Sequence, residues 1–286
     1  TVSEQGKINQ TIEESPYYKT LNGTWKFHWV ADPEERPKDF YLPDYDVSGW
    51  DDIKVPATWQ IEAVRHNKPW DKPLYCNVIY PFTKWNDVQW PNVIQPRPAD
   101  YTFANMPNPV GSYRREFTLP ESWDGRDVFI RFNGVEAGFY LWLNGKKVGY
   151  SEDSYLPAEF NLTPYLNKDG KNVLAVEVYR FTDGSFLECQ DFWRFSGIFR
   201  DVFLWSAPKM QIRDFFFRTD LDEAYKDAKV DLDVIITGRK SKSELQVRIT
   251  DASGKEVALH TLPAELGENH LEFTVANPKK WTAETP

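Results

Sequence analysis

Cysteine, methionine and long hydrophobic runs are scarce in this chain of 286 residues. Its two cysteines, Cys76 and Cys189, fit neither the spacing of a metal site nor a framework of disulfides. The longest apolar runs, such as residues 139–143, are far shorter than the ~20 residues that a membrane helix needs. The sequence therefore predicts a protein that does not cross a membrane, and it leaves the cellular compartment open.

Positive charge is also in short supply. The 34 Lys and Arg are outnumbered by 43 Asp and Glu, which gives a net charge of −9 and a pI near 5.1. No cluster of basic residues offsets this excess, so a phosphate backbone would be repelled, and nucleic acid is not expected as a partner. The histidines lie in different segments and none indicates a metal site; they are His28, His66, His260 and His270.

Helical periodicity is nearly absent, and alternation of apolar and polar residues takes its place. Residues 25–29 alternate in this way, as expected for a half-buried strand. Asn144-Gly145 is a strong hairpin signal, because both central residues of a type I′ turn need positive φ. It predicts that Phe139–Leu143 pairs antiparallel with Lys147–Ser151. The chain as a whole is predicted to be all-β.

Tryptophan marks a boundary between two predicted domains. Eleven of the 12 Trp precede residue 208, and we therefore divide the chain into domains 1–207 and 208–286. Turn spacing in the second domain is typical of an immunoglobulin-like sandwich, which we expect to be incomplete because such domains use roughly seven strands. Five strands are predicted there: Gln211–Thr219, Lys229–Thr237, Glu244–Thr250, Glu256–Leu262 and His270–Val275.

The segment from Pro56 to Pro109 interrupts the strand pattern with nine of the 20 prolines. Proline cannot donate to a sheet ladder, so regular sheet is excluded. Many aromatic residues accompany the prolines, which is not typical of disordered chains. We interpret the segment as a long, ordered, functional loop.

The most informative stretch is Asp183–Val202, with the sequence DGSFLECQDFWRFSGIFRDV. It begins with turn residues directly after the predicted strand Val173–Phe181, so the Asp183 carboxylate is expected at a sheet rim. A second break at Ser196-Gly197 places a charged loop between two strands. Acids and an arginine beside aromatic residues suit sugar contacts or a clamped interface; the charged residues of the loop are Glu188, Asp191 and Arg194.

This stretch resembles glycoside hydrolase family 2, and in particular its large beta-galactosidases of the lacZ type. Each motif is weak alone, but five in the same order are hard to produce by chance, and the resemblance runs from Leu21 to Trp281. The other four motifs are Val55–Gln60, Tyr75–Pro81, Phe139–Tyr150 and Ser154–Phe160.

The resemblance implies a fold for each domain and places the catalytic residues outside this chain. Residues 1–207 would form a jelly-roll sandwich of the sugar-binding type, and 208–286 an immunoglobulin-like sandwich followed by a further strand and a (β/α)₈ barrel. The parent protein would be a retaining beta-galactosidase, whose two catalytic glutamates lie on the barrel. No catalytic residue is therefore expected in this chain, which by itself should be inactive.

The same resemblance assigns two substrate-binding residues. Asp183 matches a position whose carboxylate contacts sugar hydroxyls and helps to hold sodium, and Asn77 matches a position whose amide reaches the sugar from the long loop. A carboxylate suits both hydroxyls and a hard cation, and an amide donates and accepts at once. We expect the two residues to converge. Sodium and magnesium are expected only in the full-length enzyme, with the barrel of the same chain as partner and a homo-oligomer as an open option.

Three alternatives remain. The parent could be another family 2 enzyme, a beta-glucuronidase or a beta-mannosidase, although Asn77–Pro81 in a long loop favours a galactosidase. The chain could be a free-standing carbohydrate-binding module or a scaffold domain. Without the resemblance, Asp183 and Asn77 would be ordinary turn and loop residues. For Arg194 and Arg200 we favour pairing with Asp191 or Asp201 to brace the loop.

Overall fold

The computed structural model of the protein describes residues 11–76, 108–167, 170–188 and 190–284. It divides into two compact units, Thr1–Ser206 and Ala207–Pro286. Within the described ranges no helix is long and apolar enough to span a membrane.

The first unit is built from short strands, one α-helix and several short 3₁₀ helices among its described residues. Strands predicted around the Asn144-Gly145 turn and before Asp183 are confirmed to within two residues. Asn144 and Gly145 have φ of 52° and 81°, as the predicted turn requires. In chain order the elements are β1 Tyr18–Thr20, β2 Gly23–Val30, β3 Asp51–Val55, α1 Trp59–His66, β4 Leu74–Cys76, β5 Val110–Phe117, β6 Asp127–Phe132, β7 Val135–Glu136, β8 Gly138–Leu143, β9 Lys146–Glu152, β10 Ala158–Asn161, β11 Asn172–Tyr179, β12 Phe192–Arg194, β13 Gly197–Ile198 and β14 Val202–Ala207.

Two sheets of this unit form a sandwich. One has six strands in the order β3-β2-β5-β11-β8-β9, and the other has four in the order β1-β14-β6-β10. A single core cluster draws side chains from both, because alternate residues of each strand point to the same face. Its members include Phe27, Tyr113, Leu141 and Val176 from the larger sheet and Ile130 from the smaller.

Helix α1 shows where the sequence interpretation was incomplete. It lies inside the proline-rich segment that we interpreted as a loop, and strand β4 follows it. The helix begins after Thr58 and ends at Asn67, whose φ of 48° is typical of a helix C-terminus. Four of its eight residues are buried, including Trp59 and Gln60. Tertiary burial therefore stabilises a helix too short to form alone.

The outer face of the six-stranded sheet is partly covered by the connection between β2 and β3. Arg114 of β5 is buried there and donates hydrogen bonds to the carbonyl oxygens of Phe40, Leu42 and Pro43. The Tyr41 ring stacks on Trp142 of β8, with ring centroids 5.3 Å apart. This connection covers one part of the outer face.

The second unit is a smaller sandwich. All five predicted strands are confirmed, with ends that differ by at most three residues: β15 Met210–Leu221, β16 Ala228–Gly238, β17 Glu244–Thr250, β18 Glu256–Pro263 and β19 Gly267–Val275. One sheet has the order β15-β16-β19 and the other pairs β17 with β18. Leu232, Val234 and Ile236 of β16 pack against Leu245 of β17. Both units are therefore all-β sandwiches, as predicted.

A polar cluster on this second unit was not expected from the sequence. Asp231, Asp233 and His270 approach closely enough to resemble ligands of a metal ion. Arg218, however, donates to both carboxylates, at 2.6 Å to Asp231 and 2.7 Å to Asp233. The guanidinium already balances the two acids, so the cluster is a surface network of ion pairs.

Gly111 of β5 tests the packing of the first core. A Cβ at this position would lie 2.7 Å from Trp59 and 2.8 Å from Phe27, both of which are fully buried. Gly111→Ala should therefore lower the free energy of unfolding by about 1–3 kcal/mol through overpacking. Urea unfolding followed by tryptophan fluorescence measures it. At Gly49 a Cβ meets nothing within 4 Å, and an equal loss in Gly49→Ala would contradict this explanation.

His270 gives a pH test of the polar cluster. Its pKa lies above the ordinary value because its ring donates a hydrogen bond to Asp233, while Asp231 and Glu272 add negative charge. A raised folded pKa means that the stabilisation is fully present below the unfolded pKa of about 6.5 and is lost as the pH rises through the folded pKa. NMR titration of the imidazole measures the pKa directly.

The control for this titration uses the two aspartates. Asp233→Asn should bring the His270 pKa back toward its ordinary value, because Asp233 lies 2.8 Å from Nδ1. Asp231→Asn should have a smaller effect, since its carboxylate lies 3.7 Å away. Equal effects of the two substitutions would show that the hydrogen bond to Asp233 is not the main cause.

Candidate functional site

Asp183 lies where β11 ends, at the rim predicted for it. It opens a 3₁₀ turn, Asp183–Phe186, and its side chain is exposed. The turn is closed by Thr182, whose N–H donates to Ser185 Oγ at 2.9 Å and whose carbonyl accepts from Ser185 N–H at 3.1 Å. The exposed carboxylate is therefore carried on a short, hydrogen-bonded turn rather than on a free loop.

Phe181 and Thr182, the two residues directly before this turn, are both held by contacts with other parts of the chain. The Asn108 side chain accepts from Phe181 N–H at 2.8 Å and donates to the Phe181 carbonyl at 2.6 Å. Thr182 packs directly onto Gly138, where an added Cβ would lie 2.6 Å from the Thr182 methyl. Only glycine at position 138 lets the rim approach the sheet this closely.

A buried polar network lies behind the rim. Arg180, which directly follows β11, forms an ion pair with Asp71, and both side chains are at most 1% exposed. Asp71 also accepts from the side-chain Nε2 of Gln60 in α1 at 3.3 Å, and the side-chain Oε1 of Gln60 accepts from Ser196 N–H at 2.9 Å. Burial lowers the pKa of Arg180 to about 9, so the guanidinium stays charged at neutral pH. The network joins α1, the end of β11 and the Ser196 break.

Glu188 and Arg194 brace the loop that begins at Asp183. The Glu188 carboxylate accepts from the N–H and the hydroxyl of buried Ser154, at 2.7 and 2.6 Å. Arg194 donates to the carbonyls of Glu188 and Gln190. The bracing role is thus present, with these bonds to backbone carbonyls where we expected carboxylates. Arg194 also lies in β12 and not on the loop.

Burial and like charges raise two pKa values beneath this loop. Burial raises the pKa of Glu136 to about 8, and the charge of Glu188 adds to the effect, while Arg194 opposes it. Glu136 is therefore mostly protonated at neutral pH. Burial also raises the pKa of Tyr155, with contributions from Glu136 and Glu188. Glu136 and Tyr155, which both interact with the charges of Glu188 and Arg194, are therefore largely neutral near pH 7.

A second acidic residue accompanies Asp183 at the rim. Glu152, the last residue of β9, accepts a hydrogen bond from Gly184 N–H at 3.4 Å. Burial raises the pKa of Tyr150 to about 12, and Glu152 and Asp183 contribute to the shift. The rim therefore presents two carboxylates and a neutral phenol, which is a set of hydrogen-bond acceptors and donors suited to hydroxyl groups.

Asn77 lies outside the described residues, so its predicted convergence with Asp183 stays a prediction. Its chain neighbour Cys76 ends β4, whose backbone pairs with Phe192 of β12. Trp193 of β12 is half exposed, and its ring lies 5.8 Å from that of Tyr75. The two strands bring residue 76 beside the loop that begins at Asp183.

The rim carries oxygen groups of the kind that bind sodium. Asp183 and Glu152 offer carboxylate oxygens, which are the ligands a hard cation prefers. Among the described residues, Asp183 does not belong to a group of three or more His, Cys, Asp or Glu that could surround an ion. The carboxylates therefore suit a sodium ion, but the described residues alone do not supply enough ligands to surround it.

Sequence analysis missed several residues of this region. Arg180 and Asp71 are separated by 109 positions, and nothing in their local sequence indicates that they pair. Gln60 is hidden in the helix that the proline-rich segment obscured. One signal in the sequence could have indicated this network. Arg180 lies near the end of the apolar predicted strand Val173–Phe181, and a buried charge requires a partner.

Comparison with known proteins settles the family. Residues 18–208 match the family described as "Glycosyl hydrolases family 2, sugar binding domain", and residues 210–286 match the one described as "Glycosyl hydrolases family 2". The chain belongs to glycosyl hydrolase family 2. Its two units correspond to the sugar-binding domain and the immunoglobulin-like domain of that family.

Relatives by sequence carry the name beta-galactosidase. The chain is 41% identical to the beta-galactosidase of Priestia megaterium over 97% of its own length, which is 27% of that protein. It is 38% identical to the "Beta-galactosidase large subunit" of Lactobacillus helveticus over 94% of its length, which is 41% of that protein. The chain thus spans well under half of these relatives.

Solved structures of the family share the fold. The Bacteroides uniformis beta-glucuronidase 2 structure matches with a TM-score of 0.67 at 23% identity, covering 94% of this chain and 29% of that one. A beta-glucuronidase from an uncultured Clostridium matches with a TM-score of 0.65 at 21% identity, covering 98% and 42%. At this identity the likeness concerns the fold.

The buried ion pair generates a stability prediction. Asp71→Asn keeps the shape of the side chain but removes the negative charge that pairs with buried Arg180, which should cost about 3–5 kcal/mol of unfolding free energy. Glu116→Gln removes a carboxylate from an exposed pair, with Lys171 at 2.7 Å, and should cost at most about 1 kcal/mol. Urea unfolding of both variants compares them, and similar losses would refute the special role of the buried pair.

Proposed function

We propose that this chain is the N-terminal part of a beta-galactosidase that hydrolyses terminal beta-D-galactosides. The observation that carries the proposal is the exposed Asp183 carboxylate, held on a hydrogen-bonded turn at a sheet rim in a chain 41% identical to a beta-galactosidase over nearly its whole length. Relatives named beta-glucuronidase match through the fold alone, so they do not favour glucuronides.

In this proposal the chain contributes binding and not the chemical step. A retaining glycosidase needs two carboxyl groups about 5 Å apart, one as acid and base and one as nucleophile. We assign neither role to a residue of this chain and place both on the barrel of the full-length protein. Asp183 would accept hydrogen bonds from sugar hydroxyls and Asn77 would reach the same sugar. Sodium, held in part by Asp183, would add positive charge near those hydroxyls.

Rigidity is what makes Asp183 suitable for this role. A binding carboxylate is effective when its position is fixed before the substrate arrives. The Asn108–Phe181 and Thr182–Ser185 hydrogen bonds fix the turn, and the Arg180–Asp71 pair fixes the chain directly before it. The carboxylate itself stays exposed, so the ordering cost of binding is low.

The test is Asp183→Asn in the full-length enzyme. This change keeps the shape and removes the charge, so kcat/KM for an aryl beta-galactoside should fall by roughly 10- to 100-fold for each charge-assisted hydrogen bond lost. Asp39→Asn, at an exposed carboxylate on the connection between β2 and β3, is the control and should keep the wild-type value.

Two results would overturn the proposal. Wild-type kcat/KM in Asp183→Asn would remove Asp183 from the site. Faster hydrolysis of an aryl beta-glucuronide or beta-mannoside than of the galactoside would replace the substrate class while leaving the family intact.

A further inference from the structure

Tyrosines gather on the outer face of the six-stranded sheet, next to the Asp183 rim. Tyr140 of β8 lies directly opposite Tyr150 of β9, and their ring centroids are 4.7 Å apart. The Tyr179 ring of β11 lies 6.1 Å from that of Tyr140. Directly opposed residues of an antiparallel pair share a face. We call Tyr140, Tyr150 and Tyr179 the tyrosine face.

Charged side chains border these rings. Tyr140 of β8 lies directly opposite Glu177 of β11. The Glu177 carboxylate accepts a hydrogen bond from the Tyr179 hydroxyl at 2.9 Å. The Lys147 ammonium lies 4.2 Å from the centre of the Tyr140 ring. Glu177 is itself buried, so the exposed Lys147 ammonium is the charged group that a ligand reaches beside these rings. Aromatic rings beside an exposed charged group are a suitable surface for a sugar, because its C–H bonds pack on the rings while its hydroxyls bond to the charged group.

The tyrosine face is continuous with the rim. Tyr150 and Glu152 lie two residues apart on β9 and therefore share a face of the sheet. Glu152 accepts a hydrogen bond from Gly184 N–H, next to Asp183. Gly138 has no side chain and lies between Glu152 and Tyr179 in the pairing of the strands. The surface from Asp183 to Tyr150 is therefore one connected strip of hydrogen-bonding groups and rings.

Exposure distinguishes this strip from the neighbouring covered part of the sheet. The Tyr41 ring stacks on Trp142, two residues along β8 from Tyr140. Tyr150, by contrast, is 40% exposed, on strand β9 at the edge of the sheet. An exposed tyrosine beside a carboxylate is available to a ligand.

We propose that the tyrosine face binds a second sugar residue of an extended beta-galactoside whose terminal galactose lies at the Asp183 rim. The inference rests on the proposed function and adds to it that longer galactosides are preferred over short ones. Its ligand is a neutral pyranose ring, stacked on Tyr150 and bonded to Glu152 or Lys147.

The experiment uses the 286-residue chain, which needs no catalytic activity for a binding measurement. Amide NMR spectra are recorded during titration with a beta-1,4-linked galactotetraose and, separately, with methyl beta-galactoside. We expect the tetraose to shift the amide signals of Gly149, Tyr150 and Ser151 and to bind more tightly than the monosaccharide. Shifts confined to other strands would overturn the proposal without any need for a variant.

Variants then identify the rings. Tyr150→Ala should weaken tetraose binding about three- to tenfold, the size expected for one aromatic contact. Tyr150→Phe keeps the ring and should stay within about twofold. Tyr225→Ala removes an exposed tyrosine from the second unit and should leave tetraose binding unchanged. Unchanged binding in Tyr150→Ala would refute the role of the face.

A further titration separates this inference from the proposed function. Tighter binding of cellotetraose than of galactotetraose would overturn the galactoside class at this face. If the tetraose binds at Tyr150 while Asp183→Asn leaves the activity of the full-length enzyme unchanged, the proposed function fails and the tyrosine face stands.

Discussion

The ion pair between Arg180 and Asp71 supports the whole rim of the first unit. Both charges are out of water, so their pairing offsets part of the cost of burying them. Asp71 is fixed in turn by Gln60 of α1, and Gln60 is fixed by the backbone of Ser196. Three distant pieces of chain must therefore be in place before Asp183 acquires its position.

Packing on the two faces of the six-stranded sheet serves different purposes. The inner face carries Phe27, Tyr113 and Leu141, which fill the space between the sheets. The outer face carries Arg114, which holds the β2–β3 connection, and the tyrosines that lead from the rim. One set of strands thus supplies both the core and the proposed binding surface, because successive side chains alternate between faces.

Burial determines the protonation state of Glu136, which interacts with the loop that begins at Asp183. Burial, with a smaller contribution from the charge of Glu188 on the loop, raises the pKa of Glu136 to about 8, so Glu136 is mostly protonated near neutral pH. Ser154 and Arg194 meanwhile bond to the side chain and backbone of Glu188. The loop can therefore contain several acids and still pack against the sheet, while Asp183 and Glu152 remain the carboxylates presented at its edge.

The sequence by itself determined the all-β class, the five strands of the second unit, the Asn144-Gly145 hairpin and the position of Asp183 at a strand end, because these depend on period-two patterns and local turn chemistry. Helix α1, the partners of Arg180 and the tyrosine face were decided only by tertiary structure. The hairpin shows why. A regular pairing from its turn would place Tyr140 opposite Gly149, but a bulge between Leu141 and Trp142 shifts the register by one residue and places Tyr150 beside Tyr140. A one-residue shift moves side chains from one face of a sheet to the other, and only the packing of the whole sheet selects it.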